Sequence, residues 1–238
     1  MNVQWEAAWQ AVIHHPLFGV AITLAAFQLS YAAYEKTRWV FLQPVLVSML
    51  MVVGVLLACG LGYEEYRLSA QMLTVMLGPA TVALAVPLYL NLRRIRELFG
   101  PIMITLLVGG ITATALGMAL AWAFGADRMV LMTLAPKSVT SPIAMLVAEQ
   151  IGGVVALAAV FVMITGILGA IFGPELLRRF GVQHPAARGM ALGLTAHAVG
   201  TAQALQESEE CGAFAALAMS LMGVLTAVLL PLAVSLWL

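Results

Sequence analysis

Residues 129 to 150 read MVLMTLAPKSVTSPIAMLVAEQ, an apolar run interrupted at its centre by Lys137, Ser138, Thr140 and Ser141 between Pro136 and Pro142. A lysine at the middle of a bilayer costs on the order of 2.5–3.5 kcal/mol on insertion scales, so it needs a partner. Directly after it, hydroxyl residues suited to capping and a proline suited to a first turn predict the start of a new helix. A helix start presents free N–H groups and the positive end of the helix dipole, both favourable to an anion. Lys137, those amides and the hydroxyls of Ser138, Thr140 and Ser141 together make a compact receptor for a carboxylate. Sixty residues further on, AHAVGTAQ (196–203) offers His197, Thr201 and Gln203, with Gly200 allowing close approach. An imidazole titrates near neutral pH, so His197 can carry a proton or hold a substrate hydroxyl. Each residue has a structural alternative. Lys137 could be held by an acidic side chain or by carbonyls to join two helices, and His197 could be an interhelical hydrogen bonder.

The elements that position these residues are membrane helices. The chain is 63% hydrophobic and 9% charged, against about 25% charged in soluble domains, and its mean hydropathy is +1.01. Apolar stretches run at about 17–34, 39–61, 71–92, 101–124, 129–150, 153–173, 186–206 and 213–237, separated by short polar connections. Runs of ~20 residues match a ~30 Å hydrocarbon core. The composition therefore predicts an all-α polytopic membrane protein forming a single domain over 1–238. The stretch LGPATVALAVPLYLNL, with Pro79 and Pro87, must be bent or broken.

Several functions are set aside by the same composition. Net charge is zero and no basic run is large enough for nucleic acid. The first 35 residues contain no Lys or Arg, so no signal-peptide n-region is expected. Cys59 and Cys211 are lone thiols without a CxxC spacing, and His14 and His15 beside Pro16 read as a polar segment at the membrane edge, not a metal site. The chain has no nucleophile elbow, zinc spacing or Walker loop, so neither an enzyme nor a cofactor or metal protein is expected. The glycine pairs at 109–110 and 152–153, with Gly117, are expected to permit close helix packing. Glu149 and Glu209 are expected near water at the ends of the polar-centred stretches.

The chain also repeats itself. A sixty-residue shift lays 126–158 on 186–218, so that Arg128, Val139, Glu149 and Gly152 meet Arg188, Val199, Glu209 and Gly212, and Lys137 falls on His197. Whether the repeat is parallel or inverted depends on whether 129–150 and 186–206 cross the bilayer or re-enter it. If both re-enter, Lys36, Arg38, Arg93, Arg94, Arg96, Arg178, Arg179 and Arg188 share one side, and Arg67 and Arg128 lie opposite. That asymmetry fits the positive-inside rule, whereas two crossings would divide the charges evenly. The expected architecture is therefore about six full transmembrane helices plus two re-entrant helical hairpins in an inverted repeat. Residues 1–125 supply N-terminal helices, and 126–185 and 186–238 are the repeat units, with both termini outside. Arms 129–137 and 142–150 would each reach about 14 Å, bringing the tips near the midplane. Paired tips of this kind are how several secondary transporters build their sites.

The same stretches carry a resemblance. LGPATVALAVPLY (77–89), LAPKSVTSPIAM (134–145), GILGAIFG (166–173), ARGMALGLTAHAVGTAQAL (187–205) and QPVLVSM (43–49) resemble, in order and over nearly the whole chain, the LrgB/CidB family of antiholin-like membrane proteins. AQALQESEE (202–210) is more acidic than the family's pattern. The resemblance implies a multi-pass protein of the bacterial inner (cytoplasmic) membrane and a choice of two roles. Bacterial members are described as modulators of murein hydrolase activity and cell lysis, acting with a small LrgA/CidA-type membrane partner. A plastid relative that fuses both parts carries glycolate and glycerate, and some bacterial pairs are linked to pyruvate uptake. This chain has no LrgA-like part, so such a partner would be separate. Residues and resemblance together point to a transporter of small monocarboxylates (glycolate, glycerate, pyruvate or lactate type), proton-coupled through His197. Its partners would be the carboxylate, the lipid bilayer and the LrgA/CidA-type protein, with a homo-oligomer left open. The competing reading is a holin/antiholin-like regulator of lysis.

Overall fold

A computed structural model describes residues 2–37, 39 and 42–237. Every regular element among them is helical: α1 (Asn2–Ile13), α2 (Phe18–Thr37), α3 (Pro44–Cys59), α4 (Tyr63–Ser69), α5 (Gln71–Ala83), α6 (Ala85–Leu90), α7 (Leu92–Glu97), α8 (Phe99–Ile104), α9 (Gly110–Ala123), α10 (Arg128–Leu134), α11 (Ser141–Gln150), α12 (Val155–Arg179), α13 (Pro185–Glu207) and α14 (Glu209–Trp237). A π-helical turn, Thr105–Gly109, joins α8 to α9. Four stretches are long and apolar enough to cross a membrane, namely Gln71–Leu90, Phe99–Ala123, Val155–Arg179 and Glu209–Leu236, or five with the bent pair α3–α4. The expected stretch at 17–34 is α2, whose Gln28, Ser30 and Glu35 lower its hydropathy and leave it outside that set. The protein is an all-α, multi-pass membrane protein. Arg38, one of the eight cations assigned to one side, lies outside the described residues.

The chain forms two compact units, 1–83 and 84–238. In the first, α2 lies against α3, α4 and α5. Gly19 sits so close to Ser69 that a Cβ there would meet the hydroxyl, which accepts the Gly19 N–H at 3.1 Å. Gln43 starts α3 by accepting the Leu46 N–H at 2.8 Å, with Pro44 in the first turn where its missing N–H costs little. Gly60 ends α3 in a left-handed conformation, and α4 leaves at 116°. Of the bend or break expected in the stretch with Pro79 and Pro87, Pro79 lies inside α5, and the interruption falls at Leu84: α5 ends at Ala83, the residue whose carbonyl the Pro87 ring would meet four positions on.

The second unit holds the interruptions. Its core joins Ile102 and Leu106 near the π turn, Val139 and Ala144 around the first interruption, Val162 of α12, Met190 and Leu194 of α13, and Phe214, Ala218 and Met222 of α14. Gly110 lets α9 approach Met222, and Gly109 abuts Leu194, the packing role expected of that pair. The pair at 152–153 divides its work. Gly153 lies against the Thr133 backbone, while Gly152 takes φ +84° as the chain turns out of α11. That turn, not packing, is what requires a glycine at 152.

Both polar-centred stretches fold back on themselves. The Val154 N–H donates to Thr133 Oγ1 at 2.8 Å. Were 128–150 one straight crossing, Thr133 and Gln150 would stand about 25 Å apart, and four further residues reach at most about 14 Å. The chain must therefore reverse between α10 and α11. It does so at 135–140, through turns closed by Lys137 N–H to Leu134 C=O (3.0 Å) and Val139 N–H to Pro136 C=O (3.3 Å). The arms span about 10 and 15 Å at 1.5 Å per residue.

In α13 the reversal is sharper. His197 has φ 42° and ψ −129°, which divides α13 into arms 185–196 and 198–207. Arg188 and Glu207, one from each arm, are paired at 2.7 Å. A straight helix would hold them about 28 Å apart. Gly200 makes the return possible, since a Cβ there would collide with the Leu192 carbonyl of the opposite arm. The first arm also lies backbone to backbone on α14: Gly189 meets the Cys211 carbonyl and Gly193 the Ala215 carbonyl, with no room for a side chain. This is a small-xxx-small contact of the kind that draws membrane helices together.

Candidate functional site

At the first tip, Pro136 and Pro142 bracket five residues, α10 has ended at Leu134, and α11 restarts at Ser141 with Thr140 as its cap residue. Thr140 makes no side-chain cap bond, so the first amides of α11 are not met by its hydroxyl. Ser138 is buried, whereas Thr140 and Ser141 are half-buried. The Lys137 ammonium crosses to α9, donating to the Ala113 carbonyl at 3.0 Å, with Ser138 Oγ 3.5 Å away. It fits there because Gly117 has no Cβ: one would stand 2.8 Å from Lys137 Cε and 3.1 Å from Nζ. No ion pair to Lys137 is present among the described residues. An ammonium has three donors, and one carbonyl plus one long hydroxyl contact leave charge and donor capacity uncompensated. The structural alternative, Lys137 held by a carbonyl, is thus present in part, without a counter-charge.

At the second tip, the His197 ring is buried and its Nε2 lies 2.9 Å from the Val162 carbonyl of α12. A carbonyl only accepts, so Nε2 carries the hydrogen and Nδ1 is the nitrogen left to take a proton. Thr201 Oγ1 donates to the His197 carbonyl at 2.9 Å. Among the described residues His197 is the one non-glycine with positive φ. Such a conformation costs on the order of 1–3 kcal/mol and persists where the surroundings or a function demand it. Glycine would adopt it freely, whereas a histidine holds it at a cost.

The predicted site residues therefore form two groups. Lys137 reaches α9 with Ser138 beside it, and His197 reaches α12 while Thr201 lies against the His197 carbonyl and Met219 of α14. Both groups border one apolar cluster through Val139, Val162 and Leu194. Among the described residues no hydrogen bond joins Lys137 to His197. Gln203 is buried but lies two positions beyond Thr201, hence on a different face of its arm. Sequence reasoning did not single out Ala113 and Val162, whose backbone carbonyls meet the two tips, and read Gly117 as a packing glycine without its neighbour. Every residue carries a carbonyl, so these two leave no signal in the sequence.

The mouth of the second hairpin is closed by charge. Arg188 holds Glu207 through Nε (2.7 Å) and Nη2 (2.9 Å) and donates from Nη1 to the Val182 carbonyl at 3.1 Å. Arg94 reaches Glu210 at 2.8 Å and His184 at 2.9 Å. The extra acidity of AQALQESEE thus supplies partners for Arg188 and Arg94. Glu149 and Glu209 are exposed. His14 bonds to Gln10 at 3.1 Å and lies 3.8 Å from Glu65. No cluster of three His, Cys, Asp or Glu side chains among the described residues could hold a metal.

Comparison with known proteins agrees with the motif stretches. The LrgB-like family model matches residues 23–236. A Bacillus subtilis (strain 168) protein named "Uncharacterized protein YxaC" is 36% identical over 215 residues, covering 90% of this chain and 94% of that one. Proteins named "Antiholin-like protein LrgB" from Bacillus mycoides (strain KBAB4) and Bacillus cereus (strain B4264) are each 31% identical over 218 residues, covering 91% of this chain and 95% of theirs. No solved structure matches. The family model takes in α3 to α13 and both hairpins, the relatives cover nine-tenths of the chain, and the chain belongs to the LrgB-like family.

Proposed function

We propose that this chain moves small monocarboxylates of the glycolate, glycerate, pyruvate or lactate type across a bacterial inner membrane. The observation that carries the proposal is Lys137: a cation at a folded-back tip, held by one carbonyl and one hydroxyl, with no counter-charge among the described residues. A carboxylate supplies the missing charge, Ser138 sits beside it, and the uncapped start of α11 adds N–H donors at Ser141 and Ile143. His197, with Nδ1 open and a strained backbone, is the proposed carrier of a co-transported proton, with Thr201 bonded to its carbonyl. Moving a carboxylate alone against an inside-negative potential costs about 2.3 kcal/mol per 100 mV, and a proton removes that cost. The test is uptake of labelled glycolate, glycerate, pyruvate and lactate into liposomes holding only this protein. Saturable uptake of at least one, accelerated by an inward proton gradient, is expected.

A second reading is favoured by the names of the relatives: an antiholin-like role in control of cell lysis, exerted with a separate LrgA-type membrane protein. It is a physiological role, so it can coexist with carboxylate passage as the molecular activity. Liposomes that take up none of the four acids with this protein alone, but do so with the LrgA-type partner, would assign the activity to the pair. Absence of uptake in both would leave the lysis role by itself.

A further inference from the structure

The two tips are built to one plan that the sequence does not announce. Lys137 Nζ lies on the carbonyl of Ala113, four residues before Gly117, in space that a Cβ on Gly117 would fill. His197 Nε2 lies on the carbonyl of Val162, four residues before Gly166, and a Cβ on Gly166 would stand 2.6 Å from the ring Cε1 and 2.7 Å from Nε2. In an α-helix the carbonyl of residue i and the side chain of residue i+4 lie on one face, one turn apart. A side chain at residue i+4 therefore crowds a lateral approach to that carbonyl, and a glycine there clears it. Because the first hairpin returns the chain to the side from which it came, the second seat is offered on a helix that runs opposite to α9.

We propose that Gly117 and Gly166 are the positioning residues of the two tips, each clearing a seat in which a tip nitrogen is held on a helix carbonyl. The seats fix where the Lys137 charge and the His197 imidazole stand, and so where a carboxylate and a proton are received. In that respect the inference rests on the proposed carboxylate site. The two seats differ in how they tolerate change. Against Gly117 stands the far end of a flexible lysine, which can swing aside without disturbing the fold. Against Gly166 stands a buried ring together with Val199, which cannot.

The test is a pair of double-mutant cycles on the purified full-length protein. Gly117→Ala should fold with an unchanged or raised melting temperature, because alanine is the better helix residue. Its Kd for glycolate should rise about tenfold, the size expected for coupled neighbours. In a Lys137→Ala background, where no ammonium occupies the seat, the same alanine should raise the melting temperature more than it does in the parent. An unchanged Kd in the parent background, or an equal change in melting temperature in both backgrounds, overturns the first seat. Melting temperatures thus read both seats without any substrate, so a protein that binds none of the acids still decides the matter. Gly166→Ala should lower the melting temperature, and the loss should shrink in a His197→Ala background. Equal losses in both backgrounds would reduce Gly166 to ordinary packing and refute the second seat, whatever becomes of the transport reading.

Discussion

The fold-back of α13 can be tested through Arg188 and Glu207. The pair is bidentate, at 2.7 and 2.9 Å, and its side chains are 17% and 22% exposed. Exposed pairs contribute about 0.2–1 kcal/mol, and breaking a buried pair costs about 3–5 kcal/mol. A two-pronged pair partly open to water belongs between these limits, so a coupling of about 1–2 kcal/mol is expected. In a straight α13 the two residues would stand about 28 Å apart, well beyond the ~8 Å screening length at physiological salt, and the coupling would vanish. The assay is a double-mutant cycle with Arg188→Gln and Glu207→Gln, read by reversible denaturation in detergent at low and high salt. The two single losses should sum to more than the loss of the double variant, and the coupling should fall with salt. Strictly additive losses would refute the hairpin and, with it, the position of His197 at a tip.

Other perturbations probe the rest of the architecture. Single cysteines replacing Ala126 and Gln150 should both be labelled from outside, and those replacing Arg188 and Glu209 both from the cytoplasm; labelling of either pair from opposite faces would make that stretch a crossing. Gly193→Val forces a branched side chain against the Ala215 carbonyl, where no Cβ fits, and should cost more than about 3 kcal/mol or abolish folding; a stable variant would contradict the close α13–α14 contact. His197→Gln should retain glycolate binding but lose the acceleration of uptake by an inward proton gradient, and a variant that still responds as the parent does would place the proton elsewhere.

What could be read from sequence follows from where side chains violate a local rule. Lys137 between two prolines in an apolar run is an expensive violation, so the first break was legible, and the arms came within a few residues of α10 and α11. The asymmetry of the cations pointed to hairpins, because loop charge is read by the membrane itself. The turn at His197 was legible only as a polar cluster. No proline or glycine stands at that residue, and a histidine with positive φ is the reverse of what local preference predicts. The seats were illegible for a different reason. Ala113 and Val162 contribute backbone carbonyls, 24 and 35 residues from the tips they hold, and every residue carries a carbonyl. Gly117 read as a packing glycine, which it is, but what it packs is an ammonium. Gln203 shows the limit of proximity along the chain: two positions from Thr201, it faces elsewhere.

The central claim is that Lys137 holds the substrate's carboxylate, and equilibrium binding of glycolate, glycerate, pyruvate and lactate to the purified protein, parent against Lys137→Gln, tests it most directly. A ligand that binds only the folded state at 100 times its Kd stabilises it by about 2.7 kcal/mol, so thermal shift and calorimetry should both see it. The account predicts that at least one of these acids binds and stabilises the parent, and that Lys137→Gln folds equally well yet loses both effects. Unchanged affinity in a well-folded Lys137→Gln would contradict it and leave Lys137 as a brace between the first tip and α9.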